Sequence, residues 1–203
     1  GRAPTVRVGA PAYFGLKLSG NYRLPGLSQA YMATGHNSAM ISSDNKRYIV
    51  YHTRFEERGE VHEPRTHQYL LNEEAWPCML PYATDGETVS ETGYDKSEIV
   101  GDYYVINQGT KIDAKIAEPV KWVFTEDGFV YGQDMKGTWT VSDGKYYVHI
   151  STGVEESEDD STEVDDEQPS YSGVFCKMKD EAGTEVMTFS AVGNNESIWG
   201  VKY

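Results

Sequence analysis

The chain has 203 residues, is 38 % hydrophobic and 25 % charged, and carries a net charge of −14, so it has the apolar content for a packed core and is not a disordered polymer. No apolar run approaches the roughly 20 residues of a membrane helix, so no membrane span is expected. The acid excess also argues against a phosphate-binding face for nucleic acid. The opening Gly1-Arg2-Ala3-Pro4 shows no apolar leader, as a mature secreted protein would.

Helical periodicity is almost absent. Short apolar or alternating runs recur instead, separated by Gly, Asn, Asp and Pro, which is an all-β pattern. In the first part these runs predict strands at Tyr13–Leu18, Ser38–Ser42, Tyr48–Thr53, Thr66–Leu71 and a short piece near Cys78. Ser43-Asp44-Asn45-Lys46 supplies the turn between the second and third. Together they predict a small antiparallel sheet of about four strands over residues 1–85.

Residues 86–98 are poor in apolar side chains and read as a linker. Beyond it, over 99–203, strands are predicted at Asp102–Asn107, Val120–Thr125, Phe129–Gly132, Gly137–Val141, Lys145–Ser151, Tyr171–Met178, Glu185–Ala191 and Ser197–Lys202. Asp143-Gly144 marks one tight hairpin, since glycine accepts a positive φ. Glu181-Ala182-Gly183 marks another. About eight antiparallel strands suffice for a closed barrel or a sandwich. A single sheet needs a second layer. The first part therefore leans on the second domain, on another copy, or on polypeptide outside this sequence.

Several runs of the first part carry a resemblance. They are Tyr13-Phe-Gly-Leu-Lys-Leu-Ser-Gly-Asn-Tyr22, Gly35-His36-Asn37-Ser38, Tyr51-His52-Thr53-Arg54-Phe55, His62-Glu63-Pro64-Arg65-Thr66-His67-Gln68 and Asn72-Glu73-Glu74-Ala75-Trp76-Pro77. In order and spacing the set resembles the last blade of the five-bladed propeller of glycoside hydrolase family 43, in its endo-α-1,5-L-arabinanase branch. Gly101-Asp-Tyr-Tyr-Val-Ile-Asn-Gln-Gly109, Gly137-Thr-Trp139, Tyr171-Ser-Gly-Val-Phe175, Met187-Thr-Phe-Ser-Ala191 and Ile198-Trp-Gly200 are similar to the β-domain that follows that propeller. The resemblance implies a secreted, cell-surface or periplasmic protein acting on arabinan or arabino-oligosaccharides. Inverting hydrolysis needs an acid and a base roughly 6.5–9.5 Å apart. The family's motifs for those carboxylates are not found here, so the resemblance places them on upstream propeller blades, and this chain by itself is expected to be inactive.

The resemblance also assigns His36 to the shell of a calcium ion in the intact enzyme. One imidazole is a poor calcium site, because calcium takes six to eight oxygens, so no metal is expected on this chain alone. His36, Asn37, His52, Arg65 and His67 are the candidates for the substrate groove, with His52, Arg65 and His67 read as a polar network on strands. A zincin reading of His62 to His67 fails: the spacing is i, i+5, and Pro64 interrupts any helix.

Trp139, between Thr138 and Thr140, is expected to point inward, and core packing is expected for most of the four tryptophans. Tyr103, Tyr104, Tyr146, Tyr147 and Tyr171 are the better surface candidates for stacking on sugars. Cys78 and Cys176 read as buried free thiols. Nine acids crowd 155–167 without a base, which reads as a solvated loop. The expected function is the C-terminal portion of an arabinan-degrading hydrolase, completing the propeller and supporting the groove. The alternative is a non-catalytic module binding plant polysaccharide.

Overall fold

The structure is a computed structural model that describes residues 15–59, 61–142, 144–153 and 170–203. The acidic run at 155–167 lies outside the described residues, as do Tyr13 and Phe14. Of the first predicted strand, the described part, from Gly15 to Leu18, is irregular rather than extended in a sheet.

Four strands form the opening sheet: β1 (Met32–Ile41), β2 (Arg47–Arg54), β3 (Glu63–Leu71) and β4 (Pro77–Met79), antiparallel in the order 1-2-3-4. β1 begins six residues before the predicted Ser38. Its register slips between Met32 and Gly35 and again between Gly35 and Ser38. Ala33 (φ 51°) and His36 (φ 46°) occupy the left-handed region at these slips. Each bulge breaks the alternation that marks a strand in sequence, which is why the pattern reveals only the regular half. Asn45 supplies the positive φ of the β1–β2 turn (62°), with Ser42 N donating to Lys46 O at 2.9 Å.

The predicted linker is bound down. It ends in a one-turn helix, α1 (Lys96–Ile99), closed by a capping box between Asp95 and Glu98. Lys177 N donates to the Tyr94 hydroxyl at 3.3 Å, and Lys177 Nζ meets Glu98 at 2.7 Å. A Cβ on Gly93 (φ 79°) would lie 2.3 Å from the Lys145 carbonyl oxygen, so only glycine allows this approach. The strap is polar because one side faces water, and composition alone does not distinguish that from a free linker.

Eight strands follow: β5 (Gly101–Asn107), β6 (Val120–Phe124), β7 (Phe129–Tyr131), β8 (Lys136–Val141), β9 (Tyr147–Thr152), β10 (Ser170–Lys179), β11 (Glu185–Gly193) and β12 (Glu196–Lys202). They close a barrel in the order β10-β11-β12-β5-β6-β7-β8-β9. Pairing of β9 with β10, Ile150 opposite Tyr171, seals it. Tyr103, Phe124, Trp139, Phe175 and Phe189 fill the interior. Gly200 stands opposite Phe189, and a Cβ there would lie 2.1 Å from the ring. The glycine thus makes room for the aromatic, and side chains rather than a ligand chamber occupy the barrel.

Alternation sends the other residues of β10, β11 and β12 outward, yet many of them are buried. Val174, Cys176, Met178, Val186, Val192, Trp199 and Val201 join Tyr22, Tyr31, Tyr51, Phe55, Leu70, Met79 and Leu80 in a second core. The opening sheet is therefore clamped on the barrel, which supplies its second layer. A fully buried large side chain such as Trp199 contributes roughly 1.5–3 kcal/mol, so this seam is a principal source of stability. Residues 21–31 run through it, with Tyr22 paired to both Tyr31 and Ala117.

Trp139 points inward as predicted, and Trp199 packs outward against the sheet. Two of the tyrosines expected at the surface are core residues: Tyr103 (0 % exposed) and Tyr171 (8 %). Both sit on inward positions, where a hydroxyl can still be served at the barrel end; Tyr103 donates to the Ile99 carbonyl at 2.8 Å. Cys78 and Cys176 are buried free thiols, and burial pushes both pKa values up to about 12.

Candidate functional site

The pleat of β2 and β3 decides which candidates meet. Pairing places Tyr51 opposite Arg65, Ile49 opposite His67 and His52 opposite Pro64. Neighbours along a strand point to opposite faces, so His52 cannot share a face with Tyr51, Arg65 and His67. The five candidates accordingly divide.

On one face, His36 is exposed and the bulge turns its imidazole toward β2. The Nδ1 atoms of His36 and His52 lie 3.3 Å apart, so one ring carries the proton there and the other accepts. His62, which is not among the groove candidates, packs at a tilt against His52 with ring centroids 4.3 Å apart. The three imidazoles form a continuous row. His52 is held below its ordinary pKa, first by loss of water and then by the neighbouring His62, His36 and Arg54. The signal for His62 lay in pairing: it precedes β3 by one residue, and Pro64 stands opposite His52.

The other face is turned toward the barrel. Arg65 stacks over Phe55, its guanidinium carbon 4.7 Å from the ring centroid, and meets Glu63 at 3.1 Å. Glu63 is also held by Arg58 at 2.8 Å, and these two guanidiniums, Arg58 first, keep its pKa below the ordinary carboxylate range. His67 is fully buried among Tyr31, Tyr51 and Trp199. Its Nδ1 donates to the Leu80 carbonyl at 2.7 Å. Its Nε2 meets no partner among the described residues. Burial lowers its pKa to about 4, so the ring is neutral near pH 7. His67 thus belongs to the sheet–barrel seam, and the network expected of His52, Arg65 and His67 does not form. Asn37 is exposed and, with Gly35, borders a cleft of about 240 Å³ between β1 and residues 16–19.

Calcium takes oxygen donors, whereas His36, His52 and His62 offer nitrogen. Among the described residues, no group of three or more His, Cys, Asp or Glu is placed to share a metal ion. The three described imidazoles do not by themselves fit calcium.

A filled, closed eight-stranded barrel behind a four-stranded sheet defines the architecture. The description "C-terminal lipocalin-like domain" of glycoside hydrolase family 43 matches residues 81–200. The chain belongs to that family. It is 33 % identical over 195 residues to the extracellular endo-α-(1→5)-L-arabinanase 2 of Bacillus subtilis strain 168, which covers 93 % of this chain and 38 % of the relative. The extracellular endo-α-(1→5)-L-arabinanase of Thermotoga petrophila is likewise 33 % identical over 198 residues. Among solved structures, the endo-1,5-α-L-arabinanase of Thermotoga petrophila superimposes with a TM-score of 0.80 at 33 % identity, covering 95 % of this chain and 41 % of that one. The family 43 YxiA protein of Bacillus licheniformis gives 0.77 at 32 % identity. The chain spans about two-fifths of the length of these relatives. Among the described residues, no helix is long and apolar enough to cross a membrane.

Proposed function

We propose that this chain is the C-terminal portion of an extracellular hydrolase that cleaves α-1,5-linked arabinan. In this reading β1–β4 form the last blade of its propeller and the barrel acts as a buttress behind that blade. The observation that carries the reading is the uninterrupted likeness, across both the sheet and the barrel, to proteins named as arabinanases. The division of the sheet's faces supports it. Tyr31, Tyr51, Phe55 and His67 are committed to the barrel, while His36 and His52 face the opposite side and remain available to the rest of a propeller.

Inverting hydrolysis requires a proton donor and a general base roughly 6.5–9.5 Å apart. Glu63 at the head of β3 is unsuited to donate, because two arginines hold it ionised. The acid, the base and any calcium ligands with oxygen donors are assigned to the remaining blades. This chain's own part is to position the His36–His52 row and to hold the blade rigid. The test is hydrolysis of linear α-1,5-arabinan by the full-length protein and by this chain alone. The full-length protein should release arabino-oligosaccharides and the chain none. His36→Ala in the full-length protein should lower kcat while leaving the melting temperature of this chain unchanged. Hydrolysis by the chain alone, or a full-length protein inert toward linear arabinan, overturns the reading.

A further inference from the structure

A second feature lies on the barrel, away from the histidine row. β8, β9 and β10 turn polar side chains outward in two rungs. Thr140, His149 and Ser172 form one, and Thr138, Ser151 and Ser170 the other, each set paired directly across the three strands. From Val174 onward on β10, and on β11 and β12, the outward face is covered by the opening sheet, whereas among the described residues this part is bordered rather than covered. The β3–β4 turn with Glu74 rises on one side and the β11–β12 turn with Asn194 on the other. Between them runs a groove of about 430 Å³, within the roughly 300–1,000 Å³ of ligand sites.

Two observations mark the groove as more than a solvated barrel face. Ser172 is 7 % exposed, lines the groove, and its hydroxyl has no hydrogen-bond partner among the described residues. A buried hydroxyl left unpaired is costly, and Ser172 is among the residues that line the groove, so a polar ligand seated there can relieve that cost. The wall is also fixed in place: Glu73 accepts from His149 Nε2 at 2.9 Å, and Asn72 donates to the Ser172 carbonyl at 3.1 Å.

We propose that this groove binds a neutral oligosaccharide. Hydroxyl, imidazole and amide groups line it, and no lysine or arginine does among the described residues. Such a surface exchanges hydrogen bonds with sugar hydroxyls. Glu73 and Glu74 repel anionic chains such as uronates. The identity of the sugar as arabinan rests on the function proposed above, and the barrel groove would hold the polymer while cleavage proceeds elsewhere.

Affinity electrophoresis of this chain through gels containing linear α-1,5-arabinan tests the proposal, with polygalacturonate as the anionic control. The wild type should be retarded by arabinan and not by polygalacturonate. Thr138 and Thr140 are exposed, so T138A/T140A should keep its circular dichroism spectrum and bind about tenfold more weakly, as expected for two lost hydroxyl contacts. S151A provides the same reading from a single smaller change. Absence of retardation by any neutral polymer, equal retardation of the variants, or retardation by polygalacturonate overturns the groove assignment. Groove-dependent retardation by a different neutral polymer, together with a full-length protein that leaves arabinan intact, keeps the groove and overturns the arabinan reading. Hydrolysis of short arabino-oligosaccharides by the full-length T138A/T140A protein should match the wild type. That result keeps cleavage and groove binding separable.

Discussion

Protonation of His67 should loosen the sheet from the barrel. The ring is fully buried against Tyr31, Tyr51 and Trp199, and its folded-state pKa is lowered from 6.5 to about 4 by burial, opposed in part by the Leu80 carbonyl. In the unfolded chain the imidazole titrates at its ordinary value. Between these two values the unfolded state therefore binds more protons than the folded one. The contribution to stability is full above about pH 6.5 and is lost as the pH falls toward 4. At about 1.36 kcal/mol per unit, the shift corresponds to about 3 kcal/mol. For a chain of this size that is a fall in Tm of roughly 6–12 °C. The assay is urea unfolding of wild type and His67→Gln near neutral pH and at about pH 4.5. Glutamine keeps a donor for the Leu80 carbonyl and does not titrate. Wild type should lose roughly 2–3 kcal/mol more than the variant across that interval. The variant's own starting stability does not enter, because the comparison is a difference of differences. Equal losses in the two proteins would refute the argument and show that the seam admits the charged ring.

Three further outcomes follow from the packing. Gly200→Ala places a methyl 2.1 Å from the Phe189 ring inside a filled barrel, and should cost about 1–3 kcal/mol, read as a lower urea midpoint with an unchanged slope. Cys78 and Cys176 should resist a thiol reagent in the native protein at mildly alkaline pH, since burial pushes their pKa values up to about 12, and both should react once denaturant is added. Glu73→Gln removes an exposed carboxylate from His149, and its effect on Tm should stay within about 2 °C, because exposed pairs of this kind contribute little. A larger fall would show that the β3–β4 turn is held to the barrel chiefly by that contact.

Much of this architecture was legible in the sequence because it rests on local chemistry. Strand runs of period two, broken by Gly, Asn and Asp, announce an all-β chain, and each of the eight barrel strands falls where its alternation placed it. Trp139 between two threonines revealed its inward direction, and the wide separation of Cys78 and Cys176 fitted free thiols. The ordered motifs around Gly35, Trp76 and Gly101 were enough to point to the family. Bulges were not legible: β1 looked half its length because two slips at Ala33 and His36 scramble the alternation.

Only the tertiary structure decided which candidates act together. A strand's faces are set by register, and register depends on pairing with a distant strand, so no local pattern told His52 apart from His67. One ended in an exposed row with His36 and His62, the other in the seam beneath Trp199. The same holds for the choice between barrel and sandwich, which turns on whether β9 finds β10, and for the layer that covers the opening sheet. Local sequence fixes what each segment prefers to be; burial and long-range pairing fix what it touches.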